Sequence, residues 1–187
     1  MSFMPPQTMA FGLVAAAFLA AGCQLGTQPP QTASLQADDL RNRAEEHKEE
    51  IIRKLAKCET GDFGPSERPI YGGQGAYLGR MQFSVQTIIS YHIRKDGERL
   101  SIVEATKLAH DYDRATKLAK YMIFDLEEPW HWPLCAKKIS LRSEMAKVKG
   151  FVDQAEVAAA KGKTSEAIVE AATAEVVNHE AEGLYPP

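Results

Sequence analysis

The stretch Leu55–Gly64, "LAKCETGDFG", puts a cysteine directly before a glutamate at the end of a charged helical pattern, then breaks that pattern with glycine. Upstream, residues 37–59, "ADDLRNRAEEHKEEIIRKLAKCE", read as one helix. Leu40, Ala44, Ile51, Leu55 and Cys58 recur at helical spacing, so this stripe is expected to face a core and to carry Cys58 with it. Asp38 and Asp39 open the pattern, where the helix dipole favours acids. Asp39–Arg43, Glu49–Arg53 and Glu50–Lys54 are spaced as acid-to-base pairs one turn apart. Gly61 is expected to end the helix. Glu59 falls on the flank of the apolar stripe, at the negative end of the dipole. Burial and the dipole both penalise a charged carboxylate there, and a raised pKa is what a general acid needs near neutrality. Glu59 is therefore the candidate catalytic acid; the alternative is one more solvated carboxylate at a helix end.

A chain of 187 residues, 44% hydrophobic and 25% charged, is enough for one globular domain with extensions. A formal net charge of −3 leaves no basic face to neutralise phosphates, so nucleic acid is not an expected partner. His47, His92, His110, His131 and His179 are scattered without zinc-ligand spacing, and no metal or cofactor is expected. "AKGKT" at 160–164 lacks the earlier glycine of a phosphate-binding loop, a position filled by Val157.

The N-terminus reads differently. Residues 1–22 contain the apolar run "MAFGLVAAAFLAAG", of signal-peptide length and ended by small residues, although no Lys or Arg precedes it. "LAAGC" looks like a lipobox, which makes Cys23 the expected lipidation site. Residues 23–36 read as a polar, flexible tether. The expectation is an exported lipoprotein anchored in a membrane by its N-terminal lipid. Gln24 after the lipidated cysteine favours the outer membrane, facing the periplasm, in a cell with two membranes. Export makes Cys58 and Cys135 an even pair in an oxidising compartment, where a disulfide is the default and two buried thiols the alternative.

Residues 60–80, "TGDFGPSERPIYGGQGAYLGR", form a Gly- and Pro-rich loop of a length that is usually functional. Helices are expected again from Ser84, from Ser101 with Glu104 in capping-box spacing, and over 112–128 up to Pro129. Strand alternation is lacking, so the class is mainly α. "EPWHWPLC" brings both tryptophans to Cys135. Residues 139–187 read as an Ala-rich tail of helices broken at Gly162, serving as a spacer or as the binding site of a protein partner.

"CETG" with its Gly-rich loop, then "LGRMQFSVQTI", then "HWPLC", taken in this order over roughly residues 50–138, resembles the catalytic domain of the resuscitation-promoting factors. These are lysozyme-like enzymes related to the soluble lytic transglycosylases. The resemblance implies a lysozyme-like helical domain over 37–138 with one disulfide, Cys58–Cys135. It also implies cleavage of the β-1,4 bond between N-acetylmuramic acid and N-acetylglucosamine in peptidoglycan glycan strands. Glu59 would be the acid, and a 1,6-anhydro product fits a single carboxyl. Gln82 and Thr87 would bind sugar or N-acetyl groups, and Tyr71, Tyr77, Trp130 and Trp132 would offer ring faces. Core packing is the other reading of Trp132 and the preferred one for Phe83. Arg80 for glycine, Ile88 for tryptophan and the loop after Glu59 depart from the family pattern. Two other functions stay open: a peptidoglycan-binding module without catalysis, and a scaffold lipoprotein whose tail recruits a partner.

Overall fold

The computed structural model describes residues 30–182. The expected signal peptide, the lipidation site Cys23 and tether residues 23–29 lie outside the described residues. The chain is mainly helical, with one disulfide.

Helix α1 spans Pro30–Thr60, seven residues longer at its start than the sequence pattern suggests. Residues 30–36 are therefore helix and not tether, and Asp38 and Asp39 lie inside the helix. Proline is tolerated in a first turn because its missing N–H would be unpaired there anyway. The added turns are held by tertiary packing: Ala37, Leu40 and Ala44 are buried, and α1 lies along the last helix. The predicted stripe faces the core, with Ile52 and Ala56 added to it. Of the three predicted surface pairs, Glu50–Lys54 forms at 2.7 Å. The partners of the others are spent on tertiary contacts. Glu49 pairs with Lys120, and the Arg43 guanidinium covers the Phe151 ring at 4.7 Å.

The Gly-rich segment holds a small hairpin, β1 (Tyr71–Gly72) and β2 (Tyr77–Leu78), antiparallel, with Tyr71 opposite Leu78 and Gly72 opposite Tyr77. Two-residue strands are too short to leave an alternation signal. Gly79, with φ of +70°, closes the hairpin against the end of the helix Ile102–His110, where a Cβ would stand 1.7 Å from the Ala109 carbonyl oxygen. No other residue fits there.

Helix α2 (Val85–Asp96) starts where helix was expected to resume, with Ser84 as its N-cap, and ends at Gly97 in the left-handed region. Helix α3 (Ile102–His110) carries the predicted capping box, with both Ser101 and Glu104 bonds present. Helix α4 (Tyr112–Lys120) runs into a π-helical turn, Tyr121–Asp125, whose Met122 and Ile123 are fully buried. Helix α5 (Pro133–Lys138) brings Cys135 to α1. Ile51, Ile52 and Leu55 of α1 meet Met81, Ile88, Met122, Ile123 and Leu141 in one core. Each such side chain, fully withdrawn from water, contributes about 1.5–3 kcal/mol.

Helix α6 (Leu141–Glu182) runs through Gly162 without the expected break. One glycine costs about 1 kcal/mol in a helix interior, too little to break a helix whose face is packed. Gly162 is itself buried. The pairing partner is α1 and not a second tail helix. His47 meets Glu144 at 2.7 Å, whereas Arg43, one turn earlier on α1, covers Phe151, two turns later on α6, so the two helices run antiparallel. Leu141 and Val148 belong to the core, which makes the first half of α6 part of the domain and not an appendage.

Candidate active site

Glu59 sits in the last turn of α1, beside Cys58. The helix stops as expected: Gly61 adopts φ of +81° and its N–H donates to the Lys57 carbonyl at 2.9 Å. Four chain segments are cross-tied around this end. Cys58 is bonded to Cys135. Three residues before Cys135, the Trp132 indole N–H donates to the Met81 carbonyl at 2.8 Å. Next to Met81, the Arg80 guanidinium reaches back to the residues after Glu59. It donates to Asp62 Oδ2 at 3.0 Å, to the Gly64 carbonyl at 3.2 Å and to Thr60 Oγ1 at 3.5 Å. The ring of contacts is thus closed through one covalent bond and several hydrogen bonds.

The Glu59 carboxyl is half-buried, and among the described residues it has no hydrogen bond or ion pair. Burial alone pushes its pKa up from the ordinary carboxylate range. The positive charge of Arg80 is taken up by Asp62, so Glu59 keeps an environment that favours its protonated form. Chemically this is a carboxyl whose proton is held more tightly than that of a solvated glutamate and is not committed to a hydrogen bond within the described residues.

The predicted sugar-binding residues divide into groups. Trp132 is 3% exposed, packs on Phe83 with ring centroids 5.5 Å apart and spends its N–H on Met81. It is a core residue, and the expectation that it offers a ring face to substrate is corrected. An indole that has to bring Cys135 under α1 has no face left over. Phe83 is buried, as preferred. Tyr71, Tyr77 and Trp130 are 61%, 48% and 57% exposed, so their rings are accessible. Tyr71 and Tyr77 belong to successive pairs of the hairpin and so project from opposite faces, which prevents them from forming one platform. Gln82 is half-buried in the left-handed region, φ +50°, and its amide donates to the Gly79 carbonyl at 2.8 Å. Its Oε1 presses on Gly72, where a Cβ would lie 1.7 Å away. Thr87 lies in the first turn of α2, with its hydroxyl 2.8 Å from Ser84 Oγ.

Two groupings were not legible from spacing. Asp62 reads as a solvated loop acid and Arg80 only as a departure from a family pattern, yet they pair across 18 residues. The signal available was an acid and a base flanking one Gly-rich loop. The second grouping is Tyr91, Arg94, Glu128 and His131. The Tyr91 hydroxyl touches both Glu128 and His131, while Arg94 donates to Glu128 at 3.1 Å. Burial, then the neighbouring Glu128, pushes the Tyr91 phenol up to about 12. This cluster fastens the turn bearing Trp130 to α2.

A groove of about 1010 Å³ runs between α1 and α6, with Leu40, Val157 and Ala158 beside Gln36, Asp153 and Lys161 in its lining; Glu59 is not part of it. Among the described residues no three His, Cys, Asp or Glu side chains converge on a metal-sized site.

Replacing Trp132 with Phe should lower stability by about 1–3 kcal/mol, because the buried Met81 carbonyl loses its donor. Urea unfolding monitored by circular dichroism measures this loss; an unchanged midpoint would show that the bond is dispensable.

No protein-family model matches this chain, and no curated protein or solved structure does either.

Proposed function

We propose that the chain is a peptidoglycan-cleaving muramidase of lysozyme-like fold, acting as a lytic transglycosylase with Glu59 as its single acid. The observation that carries this reading is the Glu59 carboxyl itself, half-buried, without a partner, and seated where four segments are cross-tied. Glycoside cleavage needs a proton at the leaving oxygen while positive charge builds on the ring being released. Glu59 would give its proton to the glycosidic oxygen as the C1–O bond of the muramic acid residue breaks. The resulting carboxylate would then take the proton from that sugar's own 6-hydroxyl as the hydroxyl oxygen closes on C1. The acid is regenerated and no water is consumed. Asp62, the nearest acid in sequence, is tied to Arg80, which favours this one-carboxyl route over one needing a second carboxylate.

Trp130 and one of Tyr71 and Tyr77, which lie on opposite faces of the hairpin, are the exposed rings that would stack on sugars, with Gln82 and Thr87 near the strand-to-helix turn. The lipid on Cys23 and residence on the membrane surface that faces the wall, which is the periplasmic side of the outer membrane in a cell with two membranes, belong to the same proposal. Helix α1 would hold the acid about 44 Å from Pro30 at 1.5 Å per residue, a rigid standoff in place of part of the flexible tether.

Digestion of purified sacculi with the protein, followed by mass spectrometry, tests the reading. Muropeptides with 1,6-anhydro ends are the expected product. Reducing ends would change the reaction to hydrolysis by the same acid, and sacculi left intact would remove the enzymatic reading altogether.

A further inference from the structure

The Glu59 proposal leaves open what keeps the acid in place once α1 has ended. Beyond Thr60 the chain enters ten residues without regular structure, most of them exposed, with Gly61 and Gly64 both at positive φ. Such a segment has little to hold the last turn of the helix, and helix ends fray. One side chain from elsewhere in the sequence engages the last residue of α1 and two residues of this segment at once. The Arg80 guanidinium, only 13% exposed, donates to the Thr60 hydroxyl, the Asp62 carboxylate and the Gly64 carbonyl. The Thr60 hydroxyl in turn lies 3.1 Å from the carbonyl oxygens of Ala56 and Asp62. The far end of this clamp is firm, because Arg80 lies between Gly79, wedged on α3, and Met81, which is fully buried and bonded to Trp132.

We propose that Arg80 is a positioning residue for Glu59, clamping Thr60, Asp62 and Gly64 to the segment between the hairpin and α2 so that the acid and this wall of the site move as one body. The inference rests on the reading of Glu59 as the catalytic acid. The fork shape of the guanidinium is essential to it. Five donors in a fixed plane can serve three acceptors, whereas an ammonium on a flexible stem serves them as a point charge. Asp62 has two duties: it is one of the clamped groups, and it neutralises the cation that stands in the same network as the acid's neighbour Thr60.

The test compares wild type, Arg80→Ala, Arg80→Lys and Asp62→Asn as full-length proteins. Turnover on purified glycan strands is measured beside backbone hydrogen exchange at Glu59, Thr60 and Gly61. A displacement of the acid by about 1 Å costs on the order of 100-fold. Arg80→Ala is accordingly expected to lower kcat by about 10- to 100-fold with KM within about 2-fold, and Arg80→Lys to recover only part of the loss. Exchange at the three amides should rise about 10-fold in Arg80→Ala, with the amides of Ile51 and Leu55 unchanged. Asp62→Asn keeps the shape and removes one charged contact, so it should show a smaller loss in the same direction even if the alanine variant fails to fold. A kcat that is unchanged per folded molecule, a loss confined to KM, or full recovery with lysine would each overturn the proposal. If wild type cuts no glycan, the proposed function falls on its own. The exchange measurement then still decides on the clamp, and unaltered exchange in Arg80→Ala would overturn it.

Discussion

Glu59→Gln protein, incubated with sacculi beside wild type, is expected to lose about 1,000-fold or more of the glycan-cleaving rate. Glutamine has the shape of the acid and can accept a hydrogen bond, but it has no acidic proton for the leaving oxygen. The loss should not come from unfolding, and the electrostatics provide the control. Burial holds the Glu59 pKa above its ordinary value, so the folded chain binds this proton more tightly than the unfolded chain does. The favourable term is fully present below the unfolded pKa, near 4.3, and is lost as pH rises through the higher folded value. Near neutral pH wild type therefore bears the cost of an ionised, half-buried carboxylate, and the glutamine variant does not. Its melting temperature should exceed that of wild type near pH 7, and the gap should close below about pH 4. Activity lost while stability is gained would identify a group kept for chemistry. Activity and stability falling together would identify a structural residue, and cleavage by Glu59→Gln would remove Glu59 from the reaction.

What could be read from the sequence was what local periodicity and capping chemistry encode. The stripe from Leu40 to Cys58, the Gly61 stop, the helix start near Ser84, the Ser101 cap and the Cys58–Cys135 pair all appear where they were expected. The contacts that place the site depend on distance in space, which a single sequence does not encode. Gln31–Gln36 is polar in composition and reads as tether, yet it is helical because α6 lies beside it, and α6 is more than 100 residues away. Gly162 reads as a break when viewed alone and is tolerated once the helix face is buried. Trp132 could have been platform or core; only its bond to Met81, 51 residues upstream, decides between them. Arg80 is the plainest case. Beside the family pattern that this chain resembles it reads only as a mismatch, and in the fold it is a clamp on Thr60, Asp62 and Gly64, which lie 16–20 residues upstream.

The disulfide offers the largest effect on stability. Cys58 and Cys135 close a loop of 77 residues, and in the chain-entropy account a link of that span restricts the unfolded chain by about 4–5 kcal/mol. The double variant Cys58→Ala/Cys135→Ala is the proper comparison, since a single substitution leaves a lone thiol free to pair with another molecule. It should melt about 8–20 °C below wild type, given roughly 2–4 °C per kcal/mol for a chain of this size. The site should suffer beyond the global loss, because the disulfide joins the residue before Glu59 to the helix that follows Trp132. Without it, the last turn of α1 is held at this point only through Arg80 and side-chain packing, so turnover should fall even at temperatures where the variant is fully folded. Scanning calorimetry with and without reductant separates the bond from the side chains. Reductant should lower the wild-type transition towards that of the double variant and leave the double variant where it was. A wild-type transition indifferent to reductant would mean that packing around α1 and α5 alone holds this end of the molecule. The acid's position would then have to be credited to the Arg80 clamp and the Trp132–Met81 bond.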